Sequence, residues 1–90
     1  MDAGPQRPNS KMYLENRRPG HNKFYLLEIT FAIDHWLVVC RWGRIGKTQE
    51  CKVYRFRSDY EAYLFANELL QKRLKHGYSV VQEVPTWLER

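Results

Sequence analysis

The amino-acid sequence predicts an α+β domain in which one helix covers one face of an antiparallel β-sheet. Three observations support this fold class: several short runs rich in aromatic and branched residues, glycine-containing turns between them, and one stretch with the 3.6-residue period of a helix. An apolar sheet face must be buried against another element of structure. We therefore expect the helix to pack across the strands.

Four candidate strands precede the helix. They cover residues 11–16, 23–30, 35–42 and 51–57. Pro19 and Gly20 mark a turn after the first strand, which we place at an edge of the sheet. The short link over residues 31–34 predicts a hairpin, and Gly43 and Gly46 supply the turn of the next one.

The helix is predicted from its start signal, its period and its stop signal. Ser58 and Glu61 have the S-x-x-E spacing of a capping box, and Gly77 suits a left-handed C-terminal cap. The predicted buried stripe consists of Ala62, Phe65, Ala66, Leu69, the Arg73 stem and Leu74.

The ends of the chain differ from its centre in composition. Residues 1–10 carry prolines and polar residues without an apolar period, so we interpret them as a flexible leader. The domain then spans residues 11–84 and ends in a last short strand over residues 78–84. A tail follows over residues 85–90, in which Trp87 and Leu88 are expected to fold back onto the sheet.

Composition excludes several classes of protein. The chain has 90 residues, 43% hydrophobic and 14% aromatic, which suits one folded domain rather than a disordered chain. No run approaches the about 20 apolar residues of a membrane helix, and the start of the chain lacks the apolar region of a secretory signal. We expect a cytoplasmic protein that has no membrane partner.

The two cysteines, Cys40 and Cys51, have neither CxxC spacing nor a paired histidine. Neighbouring strands could bring them close together, but free thiols in a reducing compartment are the favoured interpretation. The sequence therefore predicts no zinc site, no other metal and no cofactor.

The basic residues concentrate in the hairpin over residues 41–57. Its six cations face a single acid, so this stretch carries a charge of +5, equal to the formal charge of the whole chain. Guanidinium and ammonium groups bind phosphates, and an aromatic face beside them stacks on bases or sugars. The candidate nucleic-acid-binding residues are Arg41, Trp42, Gly43, Arg44, Lys47, Lys52 and Arg55.

A structural interpretation of the same residues is also open. Trp42 suits a core tryptophan, the glycines suit turn geometry and the cations suit a solvated strand face. Trp36 lies deeper in an apolar run, and this position favours a core residue. A second basic cluster near Arg73 is explained by the favourable position of cations at a helix C-terminus.

From residue 22 to residue 78 the chain resembles the WGR domain family. The resemblance rests on the aromatic strand that begins at Asn22, on the motif W-x5-W-G-R-I-G from Trp36 to Gly46, and on the acidic helix start at Ser58. The family is known as an accessory DNA-binding domain of several poly(ADP-ribose) polymerases and as short bacterial proteins. In the polymerases the motif tryptophan packs against a sugar at a DNA end and the motif arginine joins DNA to neighbouring domains. The resemblance implies these roles for Trp42 and Arg44.

The sequence favours a binding module over an enzyme. Its histidines lack metal-ligand spacing, and Gly46-Lys47-Thr48 ends a hairpin rather than opening a helix as a phosphate loop requires. The chain carries no transferase domain, so the resemblance implies no ADP-ribosylation. We expect a nucleic-acid partner, DNA before RNA. The alternative is a protein-interaction module that uses the same surface for an acidic partner or for a second copy of itself.

Overall fold

The computed structural model describes residues 10–47 and 49–88, so the predicted leader, apart from Ser10, lies outside the described residues. The elements are β1 (Ser10–Asn16), β2 (Lys23–Ala32), β3 (His35–Arg44), β4 (Gln49–Phe56), α1 (Asp59–Lys75), β5 (Ser79–Val81) and a 3-10 turn (Thr86–Leu88). An antiparallel sheet with one packed helix confirms the predicted α+β class.

The five strands of the sheet lie in the order β4-β3-β2-β1-β5. The prediction that β1 is an edge strand is wrong, because the chain returns after α1 and places β5 against residues Tyr13 to Glu15 of β1. The edges of the described sheet are β4 along its whole length and the three-residue β5.

The predicted hairpin between β2 and β3 is present and is longer than expected. The pairing runs from Lys23 opposite Arg44 to Ala32 opposite His35. Only two residues, Ile33 and Asp34, connect the strands, and Ile33 adopts a φ of 59°. A two-residue turn of this kind requires a positive φ, and the short turn keeps both strands paired to their ends.

At the ends of α1 the structure shows the Ser58 half of the predicted capping box and the predicted Gly77 cap. The Glu61 backbone N–H donates to Ser58 Oγ at 3.1 Å. At the other end the Gly77 N–H donates to the Leu74 carbonyl at 3.3 Å and the Tyr78 N–H to the Arg73 carbonyl at 3.1 Å. This pair of bonds is a Schellman motif, which Gly77 permits through its φ of 94°.

The sheet and α1 enclose the main core. Ala62 and Ala66 are its buried helix residues, and Phe65 and Leu69 are partly buried beside them. Leu74, predicted to be buried, is 39% exposed. The inward position of the last turn is taken by Arg73, whose guanidinium lies against a ring of β2. Within residues 10–47 and 49–88 no helix is long and apolar enough to cross a membrane.

A smaller core lies on the opposite face of the sheet. Tyr13, Phe24, Leu26 and Leu88 are buried there, and the Trp87 ring meets the Phe24 ring edge-on, with 5.1 Å between centroids. The prediction that Trp87 and Leu88 fold back onto the sheet is confirmed. They cover the β1 and β2 part of this face.

Leu88→Ala is expected to lower the free energy of unfolding by about 2–5 kcal/mol, because it leaves a cavity beneath the 3-10 turn. Leu88 is 3% exposed, whereas Leu64 on α1 is 47% exposed and offers the same substitution as a control. Urea denaturation compares the two variants. An equal loss of unfolding free energy in Leu88→Ala and Leu64→Ala would show that packing of the 3-10 turn on the sheet does not stabilise the protein.

Candidate nucleic-acid interface

Alternation along β3 sorts its side chains onto two faces, as the sequence predicts. Val38 and Cys40 belong to the core beneath α1, and Trp36 and Trp42 pack against that core. Leu37, Val39 and Arg41 therefore lie on the opposite face. Six of the seven candidate residues sit on strands that obey this rule and Lys47 lies in the turn between them, so the seven cannot form one continuous surface.

Three of the candidate residues, Trp42, Gly43 and Arg44, lie together in a cleft of about 430 Å³ on the helix side of the sheet. The cleft lies at the end of the β2–β3 ladder, where Lys23 pairs with Arg44 and Tyr25 pairs with Trp42. The residues that line it are Lys23, Tyr25, Trp42, Gly43, Arg44, Glu50, Arg73 and Tyr78.

Trp42 both packs against the core and lines the cleft, so it fits the structural and the functional interpretation of the sequence. Its ring stacks on Tyr25 with 6.2 Å between centroids and 29° between planes. Tyr25 is 3% exposed, whereas Trp42 is half-buried and lines the cleft. Tyr25 thus supports the Trp42 ring from the core, and Trp42 still presents surface to the cleft.

Arg73 enters the cleft from the last turn of α1. Its Cζ lies 4.2 Å from the centre of the Tyr25 ring and 6.0 Å from that of Tyr78. Its Nε is buried and, among the described residues, lacks a hydrogen-bond partner. The sequence placed the Arg73 stem on the buried stripe but explained its charge by the helix end, and so missed this residue as a site residue.

The cleft carries a positive charge. Three cations, Lys23, Arg44 and Arg73, line it together with one carboxylate, Glu50. Burial raises the pKa of Tyr25 to about 12, the Cys40 thiol adds to the rise, and the Arg73 guanidinium opposes it. Tyr25 is therefore a neutral phenol at physiological pH and does not offset the charge of the cations.

The remaining candidate residues lie apart from the cleft. Arg41 pairs with Cys51 and Arg55 with Leu37 on the face opposite α1. Lys52 lies on the helix side of β4, with its Nζ 5.3 Å from the centre of the Tyr54 ring. Lys47 lies in the β3–β4 turn, where its N–H donates to the Arg44 carbonyl.

Both cysteines are free thiols. Cys40 is paired with Lys52 and lies beneath α1, whereas Cys51 is paired with Arg41 and points to the other face. Burial raises the pKa of the Cys40 thiol despite the opposing effects of Tyr25 and Arg73. No group of three histidine, cysteine, aspartate or glutamate side chains in the described part of the chain is placed to hold a metal ion.

Comparison with known proteins identifies one family. A model of the WGR domain matches residues 10–85, which is most of the chain. No curated protein and no solved structure matches the chain significantly. The matched region contains β1 to β5 and every residue that lines the cleft.

Tyr25→Phe is expected to make the protein more resistant to alkali. The folded state favours the neutral phenol of Tyr25. This preference adds to the free energy of unfolding in full below pH 10.0, and the added stability is lost as the pH rises toward 12. This difference in pKa corresponds to at most about 3 kcal/mol. The free energy of unfolding should therefore fall less steeply in the variant over this range.

Tyr60→Phe is the matched control, because Tyr60 is 70% exposed. Denaturant titrations at a series of alkaline pH values should give the control the same slope as the wild type. Parallel slopes for Tyr25→Phe and the wild type would contradict the assigned environment of Tyr25.

Proposed function

The chain belongs to the WGR domain family, and from this premise we propose that it is a non-enzymatic module that binds DNA through the cleft beside Trp42. WGR domains are known as nucleic-acid-binding modules in proteins of the poly(ADP-ribose) polymerase type. One observation of this chain carries the proposal: Lys23, Arg44 and Arg73, from three different elements, meet in one cleft with three aromatic rings.

The cations supply the electrostatic part of binding. Guanidinium groups donate paired hydrogen bonds to phosphate oxygens, and each neutralised phosphate releases counterions from the DNA. Arg44 lies at the exposed end of β3 and Lys23 lies opposite it. Together they can contact the phosphates that approach the open side of the cleft.

Arg73 is well suited to bind an oxygen atom in the cleft. The Tyr25 ring fixes its guanidinium by a cation–π contact, so little side-chain entropy is lost when a ligand binds. Its Nε lacks a partner among residues 10–47 and 49–88. An oxygen atom bound to this guanidinium compensates for the loss of water around it.

Trp42 supplies the non-ionic part of binding. Its ring is held in place by Tyr25, and its remaining surface suits stacking on a sugar or a base. In a continuous duplex, sugars and bases present few free faces, whereas an end or a nick exposes them. We therefore infer that DNA ends or nicks are bound in preference to intact duplex.

The composition of the cleft agrees with binding rather than catalysis. Among the described residues that line it, the only carboxylate is Glu50, and histidine and cysteine do not occur. Nucleophilic catalysis requires a nucleophile within hydrogen-bond reach of a base. The phenol of Tyr25 is a poor base or nucleophile near neutral pH because its pKa is raised to about 12.

Binding of a short blunt duplex is expected to weaken with salt, with a log–log slope of about −0.9 for each phosphate contacted. Trp42→Ala should cost about 1–3 kcal/mol of binding free energy, and Arg44→Ala should also reduce the salt slope by about one contact. Fluorescence anisotropy at several salt concentrations measures both effects in variants whose folding is checked by circular dichroism.

Arg55→Ala is the matched control, because it removes an arginine from the opposite face of the sheet. It should leave affinity close to that of the wild type. If Arg55→Ala weakens binding as much as Arg44→Ala does, the site is a diffuse basic surface and not the cleft. Absence of binding at low salt would reject DNA as the ligand.

A closed circular duplex and a nicked circle of the same sequence test the preference for ends. The nicked circle should compete more strongly for the protein, because it exposes sugar and base faces to Trp42. A second competition tests the preference for DNA. It compares the short blunt DNA duplex with a blunt RNA duplex of the same length. Equal competition by intact and nicked circles would contradict the role of strand ends.

A further inference from the structure

We propose that β4 is a docking site for an extended acidic peptide of a partner protein, which adds to the sheet as a further strand. The site is the outer edge of β4 together with the neighbouring open part of the sheet face opposite α1. Of the β4 residues only Glu50 also lines the cleft beside Trp42, and the cations and the apolar strip that bind the peptide lie outside that cleft. The proposal therefore does not depend on DNA binding.

The first argument is the free edge. β4 is an eight-residue strand that forms one end of the sheet, and it pairs only with β3 in the part of the chain that the structure describes. Its residues from Gln49 to Val53 are all exposed. A long edge strand offers a row of backbone donors and acceptors to an added strand, which is a common mode of peptide recognition.

The second argument is the apolar strip beside that edge. Val53 pairs with Val39 on the face opposite α1, and Leu37 lies on the same face two residue pairs further along. Trp87 and Leu88 cover the part of this face around Phe24 and do not reach β4. Val53 is consequently 51% exposed and offers an apolar contact to an added strand.

The third argument is charge. Arg41 lies beside Cys51 and Arg55 lies beside Leu37, at opposite ends of the strip and roughly 13 Å apart along the strand direction. No ion pair within the described residues neutralises either guanidinium. Lys52 adds a third cation on the other side of β4.

These positions specify the chemistry of the partner. An added strand places one side chain opposite each residue of β4. Acidic side chains suit the positions opposite the cations Lys52 and Arg55. One also suits the position opposite Cys51, because Arg41 extends past the short side chain of Cys51. An apolar side chain suits the position opposite Val53. The complementary segment is thus acidic on both sides of an apolar residue.

Two other occupants fit this surface less well. A second copy of the chain would bring two basic β4 strands together in a protein of formal charge +5. A nucleic acid has no backbone ladder to pair with the edge, and the centre of the strip is aliphatic rather than aromatic. The observations therefore favour an acidic peptide.

The test uses the full chain and a fluorescent nine-residue peptide with one central valine flanked by aspartates and glutamates. Anisotropy should detect saturable binding, and Arg55→Glu or Lys52→Glu should weaken it at least tenfold. Lys75→Glu, the same change of charge on the exposed side of α1, should leave it within twofold. Trp42→Ala should also leave peptide binding within twofold.

Strand pairing is tested by a second peptide of the same sequence that carries N-methyl groups on alternate residues of its β4-facing edge. This peptide should bind at least tenfold more weakly, and the unmodified peptide should slow hydrogen exchange at β4 amides. Equal binding of the two peptides would overturn the proposal. Concentration-dependent dimerisation of the free wild-type chain that excludes the peptide would also overturn it, in favour of a second copy on this edge.

Discussion

The long antiparallel pairing of β2 with β3 is the constraint on which the rest of the structure depends. Its register sets Tyr25 opposite Trp42 and Lys23 opposite Arg44, so one face of the ladder ends in an aromatic pair and a cationic pair. A slip of one residue would send every side chain of β3 to the other face. Trp42 would then leave the core beneath α1, and the cleft would lose its aromatic support.

Arg73 joins the helix to this ladder. Its guanidinium lies against Tyr25, and the carbonyl of the same residue accepts the Tyr78 N–H in the motif that ends α1. A residue whose carbonyl takes part in ending the helix therefore also places a cation over the Tyr25 ring. Local helix capping and the chemistry of the cleft thus depend on the same turn of chain.

The sheet divides the basic residues into two groups with different surroundings. On the helix side, Arg44 and Arg73 lie beside aromatic rings in a cleft. On the opposite side, Arg41 and Arg55 flank an aliphatic strip next to a free strand edge. Aromatic faces suit sugars and bases, whereas a strand edge suits a peptide backbone. We therefore propose a different partner for each of the two groups of cations.

The sequence by itself determined the elements, because hydrophobic period, the Ser58 cap and the Gly77 stop act over a few residues. Its motif also made Trp42 and Arg44 candidate site residues. Only the tertiary structure decided that β5 covers β1, that Arg73 and Lys23 join the cleft, and that Arg41 and Arg55 leave it. These outcomes depend on strand register and helix placement, which come from contacts between residues far apart in the chain. A count of charges along one hairpin carries no information about such contacts.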